Sequence, residues 1–169
     1  VIPPCAVWLV LHRLTDELRA MAAHDPLTRL LNRRGLVDQL DAYFRSRTAG
    51  PAYLLIVDID YFKRINDNHG HKAGDLVLCH VADILKASAR QGDLTCRLGG
   101  EEFVIIALNT DKAGALQLAE RARAAIEQSE VLGSSTNQPI RCTVTIGVSA
   151  AFTGSQAFDE FTQQADAAL

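Results

Sequence analysis

The sequence lacks the cysteine patterns that mark zinc-binding or disulfide-rich domains. Its four cysteines (Cys5, Cys79, Cys96 and Cys142) are scattered over 169 residues, with no Cys-x-x-Cys pair and no histidine at zinc-ligand spacing. A chain of this length buries enough surface for a core without disulfides or a structural metal. We therefore expect free thiols and a reducing compartment, the cytoplasm.

An excess of basic residues is also absent. The 17 Lys and Arg residues are outnumbered by 20 Asp and Glu residues, and the formal net charge is -3. Binding along a nucleic-acid polymer usually requires a basic surface, so we exclude a nucleic-acid polymer as a partner. The composition, 48% apolar and 22% charged, excludes a disordered or collagen-like chain and fits one compact domain.

The apolar stretch at the start of the chain, residues 1–11, is too short to cross a membrane by itself, because a membrane span needs about 20 such residues. It also lacks the pattern of a targeting peptide. Two interpretations stay open. The stretch is either the end of an upstream sensor or membrane segment that anchors the domain to the inner membrane, or an arbitrary boundary of the chain.

Residues 12–23 form the second part of the N-terminal region. Leu11, Leu14, Leu18 and Met21 recur at helical spacing, which predicts an amphipathic helix. Its apolar stripe fits packing on its own domain, and it also fits pairing with a second copy as a short coiled coil. We divide the chain into an N-terminal linker, residues 1–23, and a main domain, residues 24–169.

Hydrophobic periodicity in the main domain predicts alternating helices and strands. The run 52–59 is almost continuously apolar, which predicts a central strand covered on both faces. Two short strands flank Gly99-Gly100 and predict a β-hairpin. The other predicted elements are a helix capped by Asn32, a helical turn at 63–68, helices over about 74–89 and 113–128, a loop at 133–139, a strand at 142–148 and a helix from about Gln156.

The order β-α-β-β-α-β places the domain in the α/β (α+β) class, with a ferredoxin-like βαββαβ core and a palm-like sheet flanked by helices. In this topology the first two strands are parallel, and the third lies antiparallel between them. The end of the first strand and the turn of the hairpin therefore meet at one end of the sheet. We expect residues 58–60 and 99–102 to lie side by side there.

Both of these segments carry carboxylates. Asp58 and Asp60 are two residues apart on the first strand, and Glu101 and Glu102 follow the glycine turn. Converging carboxylates repel one another unless a cation is present, and hard oxygen ligands fit Mg²⁺ or Mn²⁺ better than zinc. The pattern predicts a divalent metal that would help to hold a nucleoside triphosphate.

The residues that follow Asp60 fit a nucleotide. The backbone N–H groups near Tyr61 and Phe62 begin a helical turn, which is an anion site, and Lys63 adds a positive charge. Asn66 and Asp75 are either helix caps or base-reading groups. A carboxylate accepts hydrogen bonds from N1–H and the amine of guanine but repels N1 of adenine, so this pair would select guanine.

Two long strings resemble the GGDEF domain of diguanylate cyclases. They are the run 58–75, DIDYFKRINDNHGHKAGD, and the run 97–103, RLGGEEF, which carries the signature in its GGEEF form. The segments DPLT (25–28), NRR (32–34), TIGV (145–148) and ADAAL (165–169) resemble further landmarks of the family. The resemblance covers about residues 24–169.

The resemblance implies roles for individual residues. Asp58, the carbonyl of Ile59, Glu101 and Glu102 would hold the metal, and either glutamate could deprotonate the nucleophile. Lys63 and the N–H groups of Tyr61 and Phe62 would bind phosphates. Asn66 and Asp75 would read guanine.

The implied reaction condenses two GTP molecules into cyclic di-GMP and pyrophosphate in a homodimer, because each domain binds one GTP. The alternative is a GGDEF domain that only senses GTP or cyclic di-GMP. A third hypothesis, a cyclase that makes a mixed guanine–adenine dinucleotide, is disfavoured by Asp75.

The resemblance also implies an inhibitory product site. Arg90-Gln-Gly-Asp93 lies upstream of the glycine turn, at the position of the family's inhibitory RxxD motif, and Arg121 on the next helix would add a cation. Two features depart from the family. Residue 29 is Arg where the family usually has Gly, and the Tyr, Lys and Arg or Lys positions that usually follow residue 169 are not in the sequence.

Overall fold

The computed structural model describes Trp8, Arg13, Leu14, Leu18 and residues 22–132 and 138–161. Most of the predicted 12–23 helix lies outside the described residues, although Arg13, Leu14 and Leu18 are helical. Among the residues described, no helix is both long and apolar enough to span a membrane.

The helices of the main domain match the predicted ones closely. Asn32 caps the first helix, as predicted, and its side chain accepts a hydrogen bond from the Gly35 N–H at 2.9 Å. The third helix begins at His71 rather than near Gly74, because Gly70, at φ 86°, ends one helix and directly precedes the next. The helices are α1 (Arg33–Phe44), α2 (Phe62–His69), α3 (His71–Ser88) and α4 (Lys112–Glu127), and residues 156–161 are also helical.

The strands form the predicted sheet and one small addition. The sheet has the order β2-β3-β1-β6 with antiparallel neighbours, so β1 and β2 run parallel on either side of β3. Residues 133–137 of the predicted 133–139 loop lie outside the described residues, whereas Pro139, at the C-terminal end of that loop, belongs to β5, which pairs with β4 as a two-stranded ribbon. The strands are β1 (Ala52–Ile59), β2 (Leu94–Gly99), β3 (Glu102–Leu108), β4 (Val131–Leu132), β5 (Pro139–Ile140) and β6 (Val144–Val148).

The sheet has a hydrophobic cluster on each face. Leu55, Val57 and Ile59 of β1 pack in the cluster that contains α3 and α4, whereas Leu54 packs in the cluster that contains α1. Successive strand residues point to opposite faces, and all four of these side chains are buried. This double burial is why β1 is apolar along nearly its whole length, and it holds the strand tip at Asp58 rigidly.

The cysteines of the described chain agree with the expectation of free thiols. Cys79, Cys96 and Cys142 are unpaired thiols, and Cys5 lies outside the described residues. Cys96 is fully buried, and this burial raises the pKa of its thiol to about 12. Cys79 and Cys142 are half-buried.

Arg29, the departure noted in the sequence, lies in a left-handed turn at φ 64°. This conformation costs a residue with a Cβ about 1–2 kcal/mol, whereas glycine adopts it freely but loses about 0.5–1 kcal/mol of backbone entropy. We expect Arg29→Gly to stabilise the domain by about 0.5–1 kcal/mol and to raise Tm by roughly 1–4 °C. Thermal unfolding checks this. Arg29→Ala is the control, because it removes the side chain but keeps the Cβ, and an equal gain in that variant would contradict the explanation.

Candidate active site

The tip of β1 and the turn of the β2–β3 hairpin meet at one end of the sheet, as the topology predicted. Asp58 is the register partner of Glu102 on one side and of Thr145 on the other. The N–H of Ile59 donates to the carbonyl of Glu101 at 3.4 Å. The positive φ angles of Gly99 (154°) and Gly100 (53°) shape the hairpin turn that brings Glu101 to this place.

The carboxylates at this end of the sheet affect one another. Burial raises the pKa of Asp58, and the negative charges of Glu101, Glu102 and Asp60 raise it further. No group of three or more His, Cys, Asp or Glu side chains in the described ranges is already arranged as a metal cage. The donor chemistry, half-buried carboxylates that repel one another, nevertheless fits a hard divalent cation.

Asp60 differs from its neighbour Asp58. Its two carboxylate oxygens accept hydrogen bonds from the hydroxyls of Thr143 at 2.6 Å and Thr145 at 2.7 Å. Its N–H donates to the carbonyl of Thr143 at 3.0 Å. The acid therefore ties the tip of β1 to the neighbouring strand β6.

The segment after Asp60 turns sharply into α2. Tyr61 has a left-handed conformation, φ 55° and ψ 32°, and its side chain provides no hydrogen bond to cap the helix. Phe62 and Ile65 are buried under the helix, while Lys63 is exposed. The N-terminus of α2 therefore follows directly after the carboxylates. The free N–H groups at the N-terminus of a helix favour the binding of an anion such as a phosphate.

The structure brings Asn66 of α2 next to the start of α3. A Cβ atom at Gly74 would collide with the Asn66 Oδ1 atom, so this glycine allows the amide to lie against the helix backbone. Asp75, an exposed residue, follows Gly74 directly. Gly74 was not predicted to take part in the site, although a glycine inside a helical pattern is a signal for such a close approach.

Arg97 connects the hairpin turn to the loop that enters the domain. Its guanidinium donates to the Gly100 carbonyl at 2.8 and 3.1 Å and to the Asp25 carboxylate at 3.2 and 3.3 Å. The same carboxylate accepts the N–H and the hydroxyl of Thr28, each at 2.8 Å. Sequence analysis missed this link, because Arg97 and Asp25 are 72 residues apart.

The residues of the RxxD motif lie at the other end of β2. The Asp93 carboxylate accepts the N–H groups of Arg90 at 2.8 Å and Leu108 at 3.0 Å. Arg121 donates to the carbonyl of Ser88 at 2.7 Å, two residues before Arg90. Arg90 and Arg121 are both exposed, and the hydrogen bonds of Asp93 fix the backbone at Arg90 and at Leu108.

Comparison with known proteins gives consistent matches. The family model of the diguanylate cyclase GGDEF domain matches residues 22–169. The response regulator PleD of Caulobacter vibrioides is 43% identical over 147 residues, which are 82% of this chain and 32% of PleD. Diguanylate cyclase DgcM of Escherichia coli K12 is 40% identical over 159 residues, which are 93% of this chain and 37% of DgcM. The chain spans about a third of the length of these relatives.

Solved structures give the same result. Diguanylate cyclase SiaD of Pseudomonas aeruginosa, in complex with its activator SiaC, is 29% identical with a TM-score of 0.76, covering 96% of this chain and 62% of SiaD. The GGDEF domain of DgcB from Caulobacter crescentus, in complex with c-di-GMP, is 31% identical with a TM-score of 0.69, covering 75% of this chain and 73% of that one. By sequence and by fold, this chain belongs to the GGDEF domain family of diguanylate cyclases.

Proposed function

We propose that this domain is a diguanylate cyclase, which condenses two GTP molecules into one cyclic di-GMP and two pyrophosphates. The 3′-hydroxyl of each GTP attacks the α-phosphate of the other, a phosphodiester bond forms, and pyrophosphate leaves. The observation that carries the proposal is the meeting of Asp58 with Glu101 and Glu102 at the tip of β1, directly before the N-terminus of α2.

Asp58, the carbonyl of Ile59, Glu101 and Glu102 would hold Mg²⁺ or Mn²⁺. Such an ion, when bound, neutralises charge on the reacting phosphate and lowers the pKa of the attacking hydroxyl. Either glutamate can accept the proton of that hydroxyl. The repulsion that raises the pKa of Asp58 supports a site built for a cation.

Binding and orientation of GTP fall to α2 and the start of α3. Lys63 and the N–H groups of Tyr61 and Phe62 bind the phosphates. Asn66 and Asp75 hydrogen-bond the guanine edge, and the absence of a side chain at Gly74 leaves room for the Asn66 amide beside α3. The carboxylate of Asp75 selects against adenine, whose N1 atom is an acceptor.

A homodimer is required because each domain binds one GTP and the two substrates must face each other. The 12–23 segment would couple dimerisation to an upstream sensor or membrane segment, and the domain itself would work in the cytoplasm, where GTP is available.

Arg90, Asp93 and Arg121 would bind cyclic di-GMP as an inhibitory product site. The structure of DgcB was solved in complex with c-di-GMP, which shows that a related domain binds this product. In this chain both arginines are exposed, Arg121 contacts Ser88, two residues before Arg90, and guanidinium groups hydrogen-bond guanine and phosphate well.

Incubation with GTP, ATP and Mg²⁺, followed by separation of the products, tests the function. We expect GTP alone to give cyclic di-GMP with two pyrophosphates for each product, ATP alone to give none, and the specific rate to fall on dilution as dimers dissociate. A dimeric protein that binds GTP but forms no product would instead favour the sensor hypothesis. A mixed dinucleotide from GTP and ATP together would contradict the assigned role of Asp75.

A further inference from the structure

We propose that Asp60 is a positioning residue for the reaction: its carboxylate, held by Thr143 and Thr145, fixes the turn that presents the Ile59 carbonyl and the first N–H groups of α2 to substrate. The inference rests on the proposed function, because it concerns how the same site is kept in shape. It gives Asp60 a different role from that of Asp58, although the sequence pattern groups the two acids together.

Both carboxylate oxygens of Asp60 accept a hydrogen bond from a threonine hydroxyl. Each carboxylate oxygen accepts one threonine hydroxyl, at 2.6 Å from Thr143 and 2.7 Å from Thr145. These lengths are typical of hydroxyl groups that donate to an ionised carboxylate. The N–H of Asp60 adds a third hydrogen bond, at 3.0 Å to the carbonyl of Thr143, the residue that precedes β6.

The turn beside Asp60 needs an external constraint. Tyr61 has a left-handed conformation that residues with a Cβ adopt rarely, and its side chain is 74% exposed, so burial does not hold it in place. Such a conformation is kept only where contacts with the surrounding structure hold it in place. The three hydrogen bonds of Asp60 to Thr143 and Thr145 hold the chain in place on the N-terminal side of Tyr61.

The threonines are placed for this contact rather than for the core. Thr143 and Thr145 are both exposed, while Val144 between them is buried. The register pairs Thr145 with Asp58 and Val144 with Ile59, so Asp60 comes next to Thr143 as the ladder ends. The hydroxyls therefore extend the pairing of β1 and β6 by one residue past the strand, up to the turn.

Two variants separate positioning from general stability. Asp60→Ala removes the acceptor, and the double variant Thr143→Val with Thr145→Val removes both donors while keeping the side-chain shape. We expect each to lower kcat/KM for cyclic di-GMP formation by about tenfold or more, because small displacements of reacting groups have effects of this size. The double variant to Ser, which keeps both hydroxyls, should stay within about threefold of the original chain.

The combination of these changes is the sharper test. If Asp60 acts through the threonines, Asp60→Ala combined with the two valine changes will be no worse than Asp60→Ala alone, because interacting residues are not additive. Losses that multiply would overturn the proposal. Thr153→Val, another exposed threonine outside β1 and β6, is the matched control and should change nothing.

Binding and unfolding measurements test the role of Asp60 without requiring catalysis. Titration with Mg²⁺ and a GTP analogue that carries a methylene group between the α- and β-phosphates should show weaker binding in the Asp60 and valine variants, with Tm within about 2 °C of the original chain. Unchanged affinity and unchanged kcat/KM would overturn the inference. If the original chain binds the analogue but makes no cyclic di-GMP, the proposed function fails while the binding arm still tests Asp60.

Discussion

Replacing Glu101 with glutamine should lower the rate of cyclic di-GMP formation by about 10³-fold, because the change removes a carboxylate that we propose as a metal ligand and as one of the two candidate bases. The same variant should be slightly more stable than the original chain. Glu101 is the first of the charges that raise the pKa of Asp58, after burial itself. An active-site carboxylate that destabilises the free protein is expected where the site is built to receive a cation.

The sign of the stability change follows from the direction of the pKa shift. An aspartate whose pKa is raised in the folded state is penalised when it ionises, so the penalty develops as pH rises above the usual range of about 4 and is complete near pH 7. Glu101→Gln removes one of the negative charges that cause this penalty and therefore reduces the cost of ionising Asp58. We expect a gain on the order of 0.5 kcal/mol after screening by solvent, or about 1–2 °C in Tm, at pH 7.

Thermal unfolding at several pH values and Mg²⁺ concentrations checks this prediction. The difference in Tm between Glu101→Gln and the original chain should shrink as pH falls toward about 4, because the raised pKa of Asp58 makes it take up its proton above its usual range. Mg²⁺ should raise Tm in the original chain and do so less in the variant. Glu160→Gln, an exposed acid in the 156–161 helix, is the matched control. A variant that keeps its activity, or that gains as much from Mg²⁺ as the original chain, would contradict the assignment.

Local sequence patterns and the strand order were enough to predict that the carboxylates of the site lie together. The apolar run of β1 identified a central strand, and the strand order then placed Asp58 beside the glycine turn although the two segments are far apart in sequence. The contacts that hold these groups were not predictable in this way. Thr143 lies 83 residues from Asp60, and no sequence pattern identifies the partner of a threonine next to an edge strand.

Backbone conformation was the other missing information. The left-handed turn at Arg29 explains why the family usually has glycine there, but the sequence alone shows only an unusual residue. Gly74 is similar, since its function is the space that it leaves for the Asn66 side chain. The conformation at Arg29 and the space at Gly74 both depend on how separate segments of the chain pack together. Hydrophobic periodicity does not predict such packing.

Arg97→Met should have the largest effect on stability. Only 13% of the Arg97 side chain and 18% of the Asp25 side chain are exposed, so the change leaves a half-buried carboxylate without its cation and the Gly100 carbonyl without its donors. Loss of hydrogen bonds to a charged group in such a place costs about 2 kcal/mol, which corresponds to a decrease in Tm of roughly 4–8 °C. The fold should persist, because Leu31 keeps two backbone hydrogen bonds to β2, at 2.9 and 3.1 Å.

The pH dependence of this loss distinguishes the ion pair from general packing. Burial raises the pKa of Asp25, but the hydrogen bonds from Thr28 and Arg97 and the charge of Arg97 together lower it below its usual value. A lowered pKa contributes stability that is present above about pH 4 and is lost as pH falls further. The difference in Tm between Arg97→Met and the original chain should therefore be large at pH 7 and smaller below about pH 4.

A double-mutant cycle with Asp25→Asn completes the test of the link. If Arg97 and Asp25 stabilise the domain through each other, the double variant will be less destabilised than the sum of the single changes, by about 1 kcal/mol or more. Product formation should fall along with the loss of the link, because the Gly100 carbonyl that Arg97 holds is adjacent to Glu101. Additive effects on Tm, or full activity in folded Arg97→Met, would show that the entry loop and the hairpin turn are independent.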